Sequence, residues 1–511
     1  MKKNKIILST IFSLCVIGLV SFFVGCATTS GMDSESSQKT TIKKQKFDQN
    51  RYNLAAKNAD FGTVIGMVQS ENADEKNPKL NLNIDEGLAY HFSNEYEASA
   101  DSLYNADIVL QTGLTNQVYA PSLFEAYTLI AIDALSNYNN ENGYNKEERV
   151  ENAMIRIRRL AEIQTMYDDY RKQIEEAQKN AEDPKGDNYL ALAAASQVFD
   201  IDLVKLVSSA PPKMSEKDRY ADSEFARLLS VYIRKEYGES SNKYDIQFLK
   251  TPSVIEEANA AISIPQGQGR LEVFAFNGTI AQEKVNVVNF PGTDTNGRPI
   301  AINFKVPETN DVIPMTFSFS YPGLERDSDG KVKSNSKVDK ILISVKDLSE
   351  NQENGTMTLQ KSAILVEDFN ESLRKENDYN SHSAFFKNMA GIITAKSAAA
   401  TAGVLSIQAA YKALATVATN PMSKALAQIA YETAKESLKT SINDIDKKIV
   451  ADTTHVKALP EKVSCAGFYL PKGNYEVKID YMNGNSVIHT ETKKASVKEG
   501  SPVLVESFYM K

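Results

Sequence analysis

The chain has 511 residues, 42% of them apolar and 24% charged, which excludes wholesale disorder, collagen-like repeats and a polytopic membrane protein and points to two or three folding units. Its formal net charge of -8 repels phosphate backbones, so nucleic acid is not an expected partner. Four His, three Cys and no Trp leave few of the residues that most often bind transition metals or pair as nucleophile and base, and no cofactor is expected.

Residues 1–25 read as a lipoprotein signal peptide. Lys2, Lys3 and Lys5 precede an uncharged run, residues 6–25, and then come Cys26 and a polar stretch. A positive amino end stays cytoplasmic while an apolar segment enters the membrane. A small residue just before a Cys is what lipoprotein processing needs, because the thiol is acylated and becomes the new terminus. Phe23-Val24-Gly25-Cys26 resembles the bacterial lipobox, with Phe23 where an aliphatic residue is usual. We therefore expect cleavage after Gly25, lipidation of Cys26 and a membrane tether through that lipid. The other reading is an uncleaved anchor, since the run is about long enough to span a bilayer. Ala27 stands where an Asp retains many lipoproteins at the inner membrane, which places the expected location at the periplasmic face of the outer membrane. Processing leaves Cys465 as the one remaining thiol, so no intrachain disulfide is expected and Cys465 should pack as a small apolar side chain.

Residues 26–50 are polar and read as a flexible tether. Residues 51–250 follow a helical pattern, with apolar positions three and four apart. The best-defined stretch, residues 84–106, looks like a tetratricopeptide unit: Gly87, Ser99 and Ala106 are small where two antiparallel helices would cross, Asn94 sits at the turn, and Tyr96 and Leu103 fill the gap. Arg149, Arg156, Arg158 and Arg159 lie near Glu147, Glu148 and Glu151. That cluster reads as a charged helix face laced by i,i+4 pairs, or as an anion or acidic-partner site. A concave repeat surface binds protein segments, which makes this part an interaction module.

The pattern changes near Pro252. Residues 265–366 carry short β-branched and aromatic runs at 271–276, 301–306, 315–320, 340–345 and 357–366, with Thr295-Asn296-Gly297 and Ser328-Asp329-Gly330 as tight reversals. Residues 367–450 form a helical insertion divided by Asn420-Pro421. Its Ala-rich first arm and Gly403 favour a hairpin packed on the sheet, with contact to a membrane surface or a partner helix left open. Residues 451–511 return to strands at 463–470, 474–481, 486–492 and 503–509, with an Asn483-Gly484 turn. The expected fold class is α+β: an N-terminal α-helical tetratricopeptide-like domain followed by a β-sandwich-like domain with an inserted α-helical hairpin.

Val273-Phe274-Ala275-Phe276-Asn277-Gly278, the segment from Ala451-Asp452-Thr453 to Leu459-Pro460, and Leu470-Pro471-Lys472-Gly473-Asn474-Tyr475, taken with the acylated amino end and the Gly87 to Ala106 pair, resemble a family of uncharacterised bacterial lipoproteins with tetratricopeptide-like amino halves. This chain has Thr454 and Val456 where that family carries Arg and Trp. The resemblance implies no catalytic residues; it implies a setting in cell-wall or envelope assembly, by gene neighbourhood alone.

Motifs with chemical content are few. Glu325, Asp327, Asp329, Gly330 and Val332 have the spacing of a calcium loop, but its twelfth position is Ser336, so the loop reads as a hairpin turn or a weak calcium site. Residues 292–297 lack the Lys-Ser/Thr of a P-loop, and Ser372 and Lys375 have a nucleophile-base spacing with no Lys-Thr-Gly to follow. His91, His382, His455 and His489 fall in different elements. The expected function is a non-enzymatic envelope lipoprotein that binds other proteins as a scaffold. The alternatives are a glycan or small-ligand binder using a cleft between the two halves, and an envelope hydrolase with a carboxylate dyad or a Ser/His pair.

Overall fold

The computed structural model describes residues 47–72, 79–112, 114, 119–182, 197–214, 222–239, 243–309, 311–348, 358–416 and 421–511. The lipobox residues Gly25 and Cys26 lie outside the described residues, as does the tether up to residue 46. Helices come first along the chain and sheets follow, interrupted by a long helical hairpin.

The described helices of the first part are α1 (Gln49–Lys57), α2 (Phe61–Asn72), α3 (Leu80–Phe92), α4 (Tyr96–Gln111), α5 (Leu123–Asn139), α6 (Lys146–Glu182), α7 (Leu203–Ser208), α8 (Glu224–Tyr237), α9 (Lys243–Ile246) and α10 (Pro252–Ile262). Their ends obey local chemistry. Ser122 and Glu125 form a capping box at α5, Ser223 caps α8, and α8 stops at Gly238 with φ 89°, a left-handed cap that glycine adopts without steric cost. The α3 and α4 helices meet at Gly87, where a Cβ would come within 2.5 Å of Leu103. There the Ser99 hydroxyl donates to the Gly87 carbonyl at 2.8 Å, and Ala106 is buried one turn beyond Leu103.

The strands are β1 (Gln268–Thr279), β2 (Glu283–Phe290), β3 (Ile302–Lys305), β4 (Val312–Met315), β5 (Phe317–Leu324), β6 (Lys340–Asp347), β7 (Thr358–Ser362), β8 (Ile364–Asp368), β9 (Pro460–Pro471), β10 (Gly473–Asn483), β11 (Ser486–Val497) and β12 (Pro502–Tyr509). They build two four-stranded sheets, ordered β12-β1-β9-β8 and β11-β10-β6-β7, and two two-stranded pairs, β2 with β5 and β3 with β4. The first and last strands of the sheet region run parallel side by side, with Val273 opposite Val505.

Strand β1 is buried on both faces because alternate side chains point opposite ways. Leu271, Val273 and Ala275 join Ile343 of β6 and Val477 and Ile479 of β10 in a core between the two sheets. Phe274 and Phe276 point the other way, into a second core with Phe92 of α3 and Phe225 and Tyr232 of α8. The helical part and the first sheet thus share one apolar core.

The insertion consists of α11 (Phe369–Thr416), α12 (Pro421–Asn443) and α13 (Ile445–Lys448). By length and composition α11 could cross a membrane, yet Phe385, Met389, Ile392 and Ile393 are buried with Phe317 and Phe319 of β5 in a third core. Buried Lys396 pairs with Asp446 at 2.8 Å. Gly403 lies against Leu438, leaving no room for a side chain. Strands β2 and β4 had no counterpart in the sequence reading; β2, with Lys284, Asn286 and Asn289, is half exposed and lacks a strong apolar run.

Candidate functional site

An open groove of about 1130 Å³ lies where the helices meet the sheet edges. One wall is the start of α4 with Glu95, Tyr96 and Asp101; the loop from Tyr138 to Asn142 and the start of α6 with Lys146 and Arg149 form the end; Lys493, Lys494 and the edge strand β12 form the other wall. Much of its charge is internally paired, Lys146 with Glu236 at 2.7 Å, Arg149 with Glu141 at 3.2 Å and Lys493 with Glu491 at 2.7 Å. Strand β12 ends its sheet here, and its edge amides meet side chains of other elements: Leu504 donates to the Tyr138 hydroxyl at 3.2 Å and Phe508 to Glu491 at 3.3 Å.

Beneath the groove, buried Glu506 stands 3.2 Å from Nε2 of buried His91. Nδ1 of His91 is 2.8 Å from the Ser136 hydroxyl, which is itself 2.9 Å from that of Ser99. Burial first, and then the charge of Glu506, push the Tyr96 hydroxyl far above its usual pKa. Ser136, His91 and Glu506 have the order of a catalytic triad but not its access. Nucleophilic catalysis needs the hydroxyl at the substrate. Here both carboxylate oxygens of Glu506 are buried, and Ser136 is fully buried and donates to the Ile132 carbonyl at 2.9 Å.

A second polar cluster holds the segment before β9. Backbone amides of Lys457 and Ala458 donate to Asp85 at 2.7 Å each, the amide of Val456 donates to Glu125 at 2.9 Å, and the Tyr52 hydroxyl donates to Asp85. Around it His455 lies 3.4 Å from Lys457 Nζ and 3.8 Å from Glu283, whose other oxygen accepts from Asn377 at 2.7 Å. Burial pushes Asp85 up to about 6 and Glu283 up to about 7, and it pulls His455 and Lys457 down. The residue types suit acid-base chemistry, but all of these side chains except the partly exposed Glu283 are sealed in the interior, so the cluster fastens chain to chain.

Two further buried carboxyls, Glu272 and Glu367, are pushed by burial up to about 7 and about 8. With Asp85 and Glu283 they keep their protons in the folded chain to higher pH than in the unfolded chain. Folding therefore takes up protons between about pH 4.5 and 8, and the stability these groups contribute is lost as pH rises through 6 to 8. His455, lowered, opposes this only below its ordinary value near 6.5. We expect the urea midpoint to fall from pH 5.5 to pH 8, and Glu367→Gln, which keeps an acceptor for Ser223 and the Phe225 amide, to flatten that fall. A midpoint that rises over this interval would refute the assignment.

The other sequence candidates are placed as follows. Asp327 Oδ1 accepts from the amides of Asp329 and Lys331, each at 2.9 Å, and Glu325 pairs with Lys333 at 3.0 Å, so the calcium-loop residues are engaged in a hairpin turn. Among the described residues no cluster of His, Cys, Asp and Glu is arranged to hold a metal ion. In residues 292–297 Asp294 closes a turn by accepting from the amides of Asn296 and Arg298. Ser372 bonds Glu367, and Lys375 pairs with Glu371. Arg156 and Arg159 reach across to Asp107 of α4, and Arg156 also to Asp133 of α5, while Arg159 pairs along α6 with Glu162 as well. Cys465 is buried in β9, and burial pushes its thiol well up, which disfavours the reactive thiolate.

Asp85, Glu125, Glu283 and Glu506 did not stand out in the sequence; an acidic residue amid apolar helix or strand positions was their one available signal. No protein-family model, curated protein or solved structure matches the chain.

Proposed function

We propose that this chain is a lipid-anchored scaffold of the cell envelope that binds an extended segment of a partner protein in the groove between its helices and its sheet edges. It is a non-enzymatic lipoprotein held by Cys26 at the periplasmic face of the outer membrane, with tetratricopeptide-like helix pairs of the kind the lipoprotein resemblance suggests and a β-sandwich closed by its last strands. The groove carries the reading: it is open and polar, both charge signs line it, and a strand edge forms one wall, features that suit a polypeptide whose backbone needs partners along its length. The burial of Ser136, His91 and the Glu506 carboxylate away from the groove supports a binding role over a hydrolytic one. A glycan is the second reading, favoured by Tyr96, Tyr138 and the Asn side chains at 94, 139, 140 and 142 in the same groove.

Asp101→Lys combined with Lys494→Glu inverts charge on both walls at exposed positions. In pull-downs from detergent-solubilised envelopes, the wild-type chain should retain reproducible partners that the double variant loses by about tenfold or more. Unchanged partners would refute the groove, and no partner but a glycan-dependent thermal shift would favour the second reading. Fatty-acid labelling that persists in Cys26→Ala would refute the anchor independently.

A further inference from the structure

The far end of the helical hairpin is unlike the rest of the surface. Residues 408–414 on α11 and 424–430 on α12 are all at least partly exposed; Gln408 still donates to the Pro307 carbonyl and Ala410 packs on the core, so about the last 9 Å of α11 lies beyond these contacts at 1.5 Å per residue. Tyr411, Leu426 and Ile429 are 42%, 60% and 63% exposed there. The sequence between Asp378 and Glu432 has no acidic residue; its charges are all lysines, and Lys412 and Lys424 sit at this end, both exposed. In a chain of net charge -8 this is a local reversal of sign joined to an apolar surface.

We propose that this end of the hairpin docks on the surface of an anionic lipid bilayer, with Tyr411, Leu426 and Ile429 entering the headgroup boundary and Lys412 and Lys424 meeting lipid phosphates. Interfacial elements sink by about 5–10 Å, which the clear length accommodates, and the acids resume at Glu432 and Glu436, one and two turns below Ile429, where they limit the depth. The acidic body is repelled by the same surface, so the contact orients the molecule end-on. A second copy fits less well: a two-fold contact would set Lys412 and Lys424 against the same cations.

The chain has no Trp, so Tyr411→Trp and Leu426→Trp, made singly in the full chain, each introduce a unique fluorophore. In vesicles of phosphatidylethanolamine and phosphatidylglycerol with brominated acyl chains, both variants should lose at least half of the emission seen with unbrominated lipid. Tyr244→Trp, at an exposed position of α9, should lose none. Adding Ile429→Asp to Tyr411→Trp should abolish the quenching while leaving thermal unfolding unchanged. Emission from both hairpin variants that is indifferent to bromine, in vesicles that carry the protein on flotation, would overturn the proposal. So would concentration-dependent pairing of copies through position 426. Equal quenching on pure phosphatidylcholine would overturn the anionic assignment. Acylation of Cys26 is read separately by mass, so failure of the anchor and failure of this contact remain distinct.

Discussion

Phe276→Ala is expected to lower the stability of the whole fold by about 3–5 kcal/mol, the range for removing a fully buried aromatic ring from a core that cannot collapse around the space. The ring is inaccessible to solvent and packs edge-on against Phe92 of α3 at 5.7 Å and Phe225 of α8 at 5.3 Å. Its strand is held on one side by β9 and on the other by β12, with Phe276 opposite Val463 and Phe508. These neighbours come from four separate stretches of chain, so none can move in to fill the void without breaking its own register. Because the core is shared, helix loss by far-ultraviolet circular dichroism and exposure of tyrosines by fluorescence should shift together along the urea axis. A shift confined to one probe, or one worth under about 1 kcal/mol, would show that helices and sheet are stabilised separately.

Asp85→Ala should cost a similar amount, about 3–5 kcal/mol, for a different reason. Three buried donors, the Tyr52 hydroxyl and the amides of Lys457 and Ala458, lose their acceptor at once. An unpaired buried donor costs about 1–3 kcal/mol. Asp85→Asn keeps a carbonyl oxygen for the two amides and should recover most of the loss. Urea unfolding gives the magnitude, and limited proteolysis gives the place: cleavage within residues 451–459 should rise in the Ala variant well before the sheets are cut. If the Ala and Asn variants behave alike, the amides are not held by this carboxylate.

Both predictions rest on features of unequal visibility in the sequence. The strand containing Phe276 announces itself by a continuous apolar run, Val273-Phe274-Ala275-Phe276, which is what a strand covered on both faces looks like. Gly297, Gly330 and Gly484 adopt φ of 74°, 77° and 58° at the reversals their Asn-Gly and Asp-Gly pairs announce. Asp85 gave no such notice. It lies between Ile84 and Glu86, where an acid reads as helix surface, and the two amides it holds are more than 370 residues away in the chain. The arginines of α6 were half legible: spacing along one helix suggested local pairs, and Arg159 does pair with Glu162, but Arg156 and Arg159 also find Asp107, and Arg156 Asp133, on neighbouring helices.

From the sequence alone one can read the order of helices before sheets, the helical insertion and most strand positions, because periodicity, caps and turn residues act over a few residues and need no knowledge of what packs where. The groove, the buried Glu506 beside His91, the Asp85 anchor and the exposed end of the hairpin were decided by tertiary structure. Each depends on which distant segments become neighbours and which side chains are cut off from water, and burial of that kind is a property of the assembled chain and not of any local stretch.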